Sequence, residues 1–482
     1  MSEPDPSEAP GPPIAASAAA AAGAPGLRAQ FRHRDHTRGS LWTSLFVLAV
    51  PLLATSLSTV VYQLVDLKFI ASIGEQAVSA VVVTNQSFRQ IVMILLMGAS
   101  FGAQGMISRL VGEGRIADAE HVAGQVATAG AAIALLVALA GLAFGREMLS
   151  VMNVSPAVAE LALPYLRITF TLGFGWIFVT LLGAVLNGAG DATTPMIVMI
   201  VQTSVSLVTE YLLVYGMLWL PALRIESIAI GQAIGQGLGV AISFAVLFRG
   251  ASRVHVRLRH LAPDPVVMRA FFAQAWAPAL QMFGTFAVNF YFLRLAGSFG
   301  DKAQTAYSIG LRIAMAGPML AFPLAGACAT LVGQNLGAGS VRRAWKSLWV
   351  GLAAHATLLV SVGVALLVFR VPFVSLFTDD PEVLALGSEL LVYQGFAFVG
   401  WAFYFVFFRA LQGAGDVVVP MVMATGNALF VTLPVGWYLA TQAGWGPSGL
   451  FAATLAGAVT VTAATSVYVL SGRWTRPFRT AR

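Results

Sequence analysis

An all-α polytopic membrane protein, with twelve transmembrane helices in two parallel six-helix repeats, is the fold class this sequence predicts. Three observations predict it. Of the 482 residues, 58% are hydrophobic and only 10% charged, with a mean hydropathy of +0.79. A soluble chain carries roughly a quarter charged residues, so this chain holds many buried or lipid-facing segments. About twelve apolar stretches of spanning length follow one another. Landmark peptides recur in the same order at an almost constant offset.

The landmarks define the repeat. Asn187 to Met196 reads NGAGDATTPM and Gln412 to Met421 reads QGAGDVVVPM, 225 positions apart (412 − 187). LVGEGR, with Gly112 and Gly114, is matched at the same offset by NLGAGS, with Gly337 and Gly339. SIGEQAVSA around Gly74 is matched by SFGDKAQTA around Gly300, one residue further on. Three matched pairs read as one half duplicated and fused.

In chain order, residues 1–39 are rich in Pro, Ala and Ser and read as a disordered cytoplasmic tail. The Ala run is weakly apolar and lacks a preceding basic residue, a poor signal peptide. The apolar stretches run roughly 41–67, 77–109, 119–145, 159–186, 194–219, 226–248, 270–297, 303–333, 345–369, 390–411, 419–441 and 447–471. They are too long, and lack the alternation, for strands. Lys and Arg set the orientation. Arg109, Arg115, the Arg249–Arg259 group, Arg342, Arg343, Lys346 and the 472–482 tail fall on one side. The other side has isolated bases and the acids Asp379, Asp380 and Glu382. The asymmetry predicts both termini in the cytoplasm. It also reads the net charge of +7 as a membrane bias rather than a nucleic-acid surface. Six spans per half make the repeats parallel. The lobes are then 40–248 and 270–471, joined by a cytoplasmic linker, 249–269, containing Pro263 and Pro265.

Cys328 is the only cysteine, so no intrachain disulfide forms. There is no HExxH, no spaced Cys/His set and no nucleophile motif, and no catalytic residue, metal site or cofactor is expected. GEGR and GAGS lack the Lys-Ser/Thr ending of a phosphate loop. In the GAGD stretches, Gly suits a tight turn, and Asp191 or Asp416 suits a helix cap ahead of Pro195 or Pro420.

The Pro51…Val65-Asp66 first span, the Gly74 loop, the GEGR and GAGS turns, both GAGD…PM stretches and the duplicated layout together resemble the multidrug and toxic compound extrusion (MATE) transporters. The resemblance covers nearly all of the chain after the tail. It implies antiport by alternating access: a proton, or a sodium ion, enters as an organic and often cationic compound leaves. It also implies a monomer in the lipid bilayer. The Ala-, Gly- and Arg-rich composition suggests a bacterial plasma (inner) membrane. A lipid-linked oligosaccharide flippase of the same superfamily is the alternative, though twelve spans and few intramembrane Arg argue against it.

Two acids stand out. Asp66 lies near the end of the first span, where a carboxylate usually has a partner or a task; an interfacial pair with Lys68 is the plainer account. Glu210 sits mid-way along the fifth span, with Ser206 one turn earlier on the same face. The resemblance makes Asp66 the ion-coupling acid. It places Glu210 and Ser206 where the family often has Asp and Asn, and Gln236, more loosely, where it has a polar Thr. Position 292, the repeat mate of Asp66, is Phe292. No acid occurs in 271–296 or 390–410, and Glu389 stands just outside the tenth span. The sodium-coupled branch carries acids in those two spans, so the resemblance is closer to the proton-coupled, DinF-like branch. Arg89 either snorkels or faces the cleft. Gln63, Asn85, Gln281, Asn289 and Tyr291 are candidate cleft residues, or glue between helices.

Overall fold

Long apolar runs separated by Gly turns give a wholly helical chain. The computed structural model describes residues 35–86, 88–152, 155–217 and 223–475. The first lobe holds the first span (Leu41–Ile73), the second (Glu75–Gln86 and Phe88–Gly112) and the third (Ile116–Val151). The fourth (Pro156–Thr171 and Gly175–Ala189), fifth (Thr193–Tyr215) and sixth (Glu226–Phe248) complete it. The second lobe holds the seventh (Pro265–Gly297), eighth (Asp301–Gly337), ninth (Val341–Val368), tenth (Pro381–Gly413), eleventh (Val418–Gln442) and twelfth (Pro447–Leu470). Among the described residues, 11 helices are long and apolar enough to cross a membrane. The seventh has the length, 33 residues, but carries Arg269, Gln274, Gln281, Asn289 and Arg294. The tenth helix begins at Pro381, capped by Asp380, nine residues before the apolar run that marks it in the sequence. Its 33 residues span about 50 Å, against about 30 Å of hydrocarbon. Glu389 therefore lies inside the helix but near its watery end, where Lys302 bridges Asp380 and Glu382 at 3.1 and 3.0 Å.

The repeated landmarks share a backbone geometry. Gly74 and Gly300, Gly114 and Gly339, and Gly190 and Gly415 all have positive φ. Asp191 accepts the Thr194 amide at 2.9 Å, and Asp416 accepts the Val419 amide at 3.3 Å, so each GAGD turn ends in a capping carboxylate. The repeats are not identical. The eleventh span, mate of the fifth, contains π-helical segments at Ala428–Thr432 and Tyr438–Gln442.

The lobes meet reciprocally. A Cβ on Gly112 would stand 2.2 Å from the Gln334 carbonyl oxygen, and one on Gly337 would stand 2.2 Å from the Arg109 carbonyl oxygen. Both contacts are repeat mates (334 − 109 and 337 − 112 are each 225), so a pseudo-twofold axis passes between them. Gly112 and Gly337 are small because two helix backbones touch there, whereas Gly114 and Gly339 meet nothing within 4 Å and serve the turns through their positive φ. Gly105 similarly approaches the Gln412 carbonyl, and its mate Thr330 donates to the Asn187 carbonyl at 3.1 Å.

All these contacts lie at the end of the bundle that carries the basic loops. Further cross-lobe hydrogen bonds join the lobes on this side: Gln104 to Gly326 and Thr330, Arg409 to Gln104, Gln334 to Gly188, and Arg109 to Ala414. At this basic end the apolar clusters cross the seam, as where Leu45 and Leu48 pack with Leu324 and Leu331. At the far end each cluster belongs to one lobe, Ile70, Tyr165 and Ile225 in the first and Phe292, Tyr307 and Phe451 in the second. The lobes are thus sealed at the basic end and separate at the far end.

Two peptides bind the basic end further. The linker turn is pinned to the third span: Gln125 donates to the His260 and Ala262 carbonyls at 2.8 and 2.7 Å and accepts the Asp264 amide at 2.9 Å. Burial pushes the His260 imidazole below its usual value. Residues 35–39 lie across the two lobes. The buried His36 ring is 3.4 Å from the Gly190 carbonyl, and Arg343 donates to the His36 and Gly39 carbonyls. The rest of the expected tail, 1–34, and residues 476–482 lie outside the described residues.

Candidate functional site

The fifth and sixth spans are drawn together by two glycines one turn apart. A Cβ on Gly231 would stand 2.4 Å from Glu210 Cγ, and one on Gly235 2.1 Å from Ser206 Oγ. The GQAIGQ peptide therefore presents a bare face, on which Ser206 and Glu210 lie. Both are buried, Glu210 completely. One of its carboxylate oxygens, Oε2, has no hydrogen-bond partner.

The first span closes the site. Tyr62, one turn before Asp66, donates its hydroxyl to Glu210 Oε1 at 2.8 Å and stands 3.5 Å from Asp66 Oδ1. The half-buried Asp66 carboxyl is also in contact with Glu210 and with Gln232. Two carboxyls thus share one phenol inside the first lobe. Ionised together at such a separation they repel strongly, so the pair favours holding one cation. Ser58 and Thr203 extend the polar surface, hydroxyl to hydroxyl at 3.1 Å.

Arg89 is the nearby positive charge. It donates to Asn85 at 2.9 Å, stacks over Trp176 at 5.3 Å, and acts on Asp66 and Tyr165 through space rather than by a direct bond. Asn85 in turn donates to the Tyr165 hydroxyl at 3.4 Å. Asn85 and Arg89 thus border the acid site.

The structure brings together five of the sequence candidates: Asp66, Glu210, Ser206 and, at their border, Asn85 and Arg89. It does not bring Gln236 to the carboxyls. Gln236 backs onto Gly175 of the fourth span, with a Cβ separation of 2.6 Å for an added methyl there. The glutamine at the acids is Gln232, one turn earlier, because its neighbour Gly231 meets the fifth span at the level of Glu210, whereas Gly235, beside Gln236, meets it at Ser206. Gln63, next to Tyr62, is exposed on another face of its helix. Gln281 is buried and donates to the Tyr404 hydroxyl at 2.7 Å, which makes it a tie between the seventh and tenth spans. Asn289 is half-buried, and Tyr291 is exposed beside Phe292. Tyr62 and Gln232 were within reach of sequence reasoning: Tyr62 precedes Asp66 by four residues, and Gln232 occupies the same peptide as Gln236.

At mid-depth the lobes meet over an aromatic floor. Phe101 packs with Tyr404 and Phe408, flanked by Met97, Met282, Phe322 and Phe405. Beneath it lies Arg409 of the tenth span, 3% exposed. Its presence in FFRALQ, one turn before the duplicated GAGD, was the available signal.

Two fused six-span lobes, a carboxyl pair inside one of them and a seam sealed at one end define a two-lobed membrane transporter. The chain belongs to the MatE family, whose model matches both lobes, at residues 51–212 and 277–438. It is similar to the probable multidrug resistance protein NorM of Thermotoga maritima, 23% identical over 432 residues, covering 89% of this chain and 92% of that protein. It is likewise similar to the multidrug resistance protein MdtK of Yersinia pseudotuberculosis, 24% identical over 452 residues, covering 91% and 96%. Among solved structures, an outward-facing multidrug resistance transporter of the MATE family shares its fold, with a TM-score of 0.81 at 18% identity, covering 91% of this chain and 96% of the other.

Proposed function

We propose that this protein is a secondary antiporter that exports amphipathic or cationic organic compounds in exchange for protons, at the plasma membrane of a bacterium. Its basic end, with both termini, faces the cytoplasm, and the shape described is the outward-facing one. The chain divides at the 249–269 linker into lobes of 40–248 and 270–471. The observation that carries the coupling is the Tyr62 bridge between Asp66 and Glu210. Two carboxyls and the Arg89 guanidinium leave one negative charge when both acids are ionised. One monovalent cation neutralises it, and a buried, unpartnered carboxylate oxygen, Glu210 Oε2, is available to take a proton. Protons fit the confinement of both acids to the first lobe, as in the DinF-like branch.

The cycle follows from linkage. A proton reaches Asp66–Glu210 from the far end. Neutralised carboxyls no longer repel, so the first, fifth and sixth spans repack and affinity for an organic cation falls. The cation leaves, the seam opens at the basic end, and the proton is released inside. Two ligands that prefer different states oppose each other through the same lobe. The similarity to NorM and MdtK supports organic efflux as the task. The aromatic and Met floor at the seam suits such compounds.

Ethidium efflux from reconstituted vesicles tests this, with an imposed pH gradient and, separately, an imposed sodium gradient. Proton-driven efflux that disappears in Asp66→Asn and Glu210→Gln is expected. Efflux driven by sodium alone would replace the proton with a sodium ion held by the same oxygens. Unchanged efflux in both variants would remove the carboxyl pair from coupling.

A further inference from the structure

Arg409 is a buried charge the coupling scheme does not use. Its Nη2 donates to Gln104 Oε1 across the seam, and its Nη1 to Gln412 Oε1 at 2.6 Å. Its guanidinium lies 4.0 Å from the Phe101 ring centroid, also across the seam, and 5.6 Å from that of Phe322. Nε is buried and has no partner. Gln104 is itself fixed to Gly326 and Thr330, and Thr330 to Asn187. Among the described residues no acid touches the guanidinium; amide dipoles and ring faces hold it. The repeat mate of Arg409 is Ala184, so the charge exists once, on the axis side of one lobe.

A buried cation without a counter-ion is expensive and needs a task. Burying Met or Leu at this position would close the seam more cheaply. The place of the charge gives the task. It lies between the aromatic floor, which faces the open end, and the last ring of contacts at the basic end, where Arg109 donates to Ala414. A small cation crossing the closed seam beside Gln104 and Phe101 meets a fixed positive charge in a buried, low-dielectric layer. Pores that exclude protons and cations use an arginine in the same way.

We infer that Arg409 is the electrostatic barrier of the closed seam, which keeps protons and sodium from leaking past the carboxyl pair without substrate exchange. This rests on the lobes forming a transport cleft, as in the function proposed above, but not on which ion is coupled. A unit charge about 5 Å away at an effective dielectric near 20 changes the occupancy of a cation by on the order of a hundredfold. Gln104 and Phe101 are positioning groups: they hold the guanidinium in the seam while it is shut.

The test uses the full chain in proteoliposomes free of any organic substrate. Decay of an imposed pH gradient and of an imposed sodium gradient is followed for wild type, Arg409→Gln, Arg409→Lys and Gln104→Glu, beside ethidium efflux. Arg409→Gln should leak at least about tenfold faster than wild type. Arg409→Lys, which keeps the charge, should restore the slow leak. Gln104→Glu, which keeps the guanidinium but pairs it with an acid, should leak like Arg409→Gln, and it serves where Arg409→Gln does not fold. Leak rates equal to wild type in both neutralising variants would overturn the barrier. A fast leak in Arg409→Lys as well would also overturn it, since packing rather than charge would then be the seal. Loss of gradient-driven efflux in the wild type would strike the antiport reading instead, and the leak measurements would still read Arg409.

Discussion

Replacing Gly112 by Ala asks whether the seam at the basic end opens during the cycle. The added Cβ would stand 2.2 Å from the Gln334 carbonyl oxygen and 2.7 Å from its Cα. Ordinary contacts begin at 3.4 Å, so one lobe must withdraw by about 1 Å, and the obstacle is backbone rather than a flexible side chain. Crowding of this kind costs about 1–3 kcal/mol. Ala also improves helix propensity by up to about 1 kcal/mol, but equally whether the seam is shut or open. The crowding acts only when it is shut. The equilibrium should therefore move toward the open seam by about 5- to 150-fold. Cys328→Ser gives a cysteine-free background in one step. Ala117→Cys and Arg342→Cys, exposed repeat mates on opposite lobes (342 − 117 is 225), then carry spin labels whose separation reports the seam. A longer-distance population should grow in Gly112→Ala. Gly114→Ala is the control: φ is +76° there, but nothing lies within 4 Å, so it should lose stability without moving the labels. An unchanged distance distribution in Gly112→Ala, with a loss of Tm like that of the control, would refute the reasoning.

Tyr62→Phe strips Glu210 Oε1 of its donor and should lower gradient-driven efflux about tenfold at normal expression, for an unsatisfied buried oxygen costs about 1–3 kcal/mol; initial efflux rates check it. Gln232→Ala should impair efflux while Gln236→Ala leaves it near wild type, and the reverse order would restore Gln236 to the site. Gly231→Ala forces a methyl against Glu210 Cγ and should lower both Tm and efflux, with a cost of about 1–3 kcal/mol. Asp264 caps the seventh span and bonds His121 at 3.0 Å, and that bond, followed by the Val266 and Val267 amides, holds its carboxyl below the usual carboxylate value. A depressed folded value contributes stability above the unfolded value of about 3.9, lost as pH falls through the folded one. Thermal unfolding should therefore drop between pH 5 and pH 3 more for wild type than for Asp264→Asn.

The duplicated lobes were legible in the sequence because apolar length and a repeated Gly pattern do not depend on tertiary contacts. Asp66 and Glu210 stood out for the same reason: an acid in an apolar run is conspicuous wherever the run goes. Their partners were not. Gln232 and Gln236 lie one turn apart on the same helix face, and only the level at which the fifth span crosses, Glu210 at Gly231 and Ser206 at Gly235, decides which reaches the acids. Tyr62 looks like any interfacial aromatic until the first span is placed against the fifth. Arg409 sits in a run whose apolar neighbours hide it, and its meaning lies in Phe101 and Gln104, some 300 residues earlier (409 − 104 is 305). The first turns of the tenth span, from Pro381, are mixed in polarity, so the apolar run marks only its later part.

The reciprocal touch of Gly112 on Gln334 and Gly337 on Arg109 has the form of an isologous dimer interface, the kind two identical subunits make about a twofold axis. In such a dimer every residue near the axis appears twice. A guanidinium at position 409 would meet the neighbourhood of its own copy, and a carboxyl pair would occur in both subunits. Joining the halves in one chain removes that constraint. One lobe can hold a buried carboxyl pair while the other holds a buried guanidinium at the seam, and neither is copied across the axis. Division of labour between the halves is thus available to the fused chain and closed to a symmetric pair.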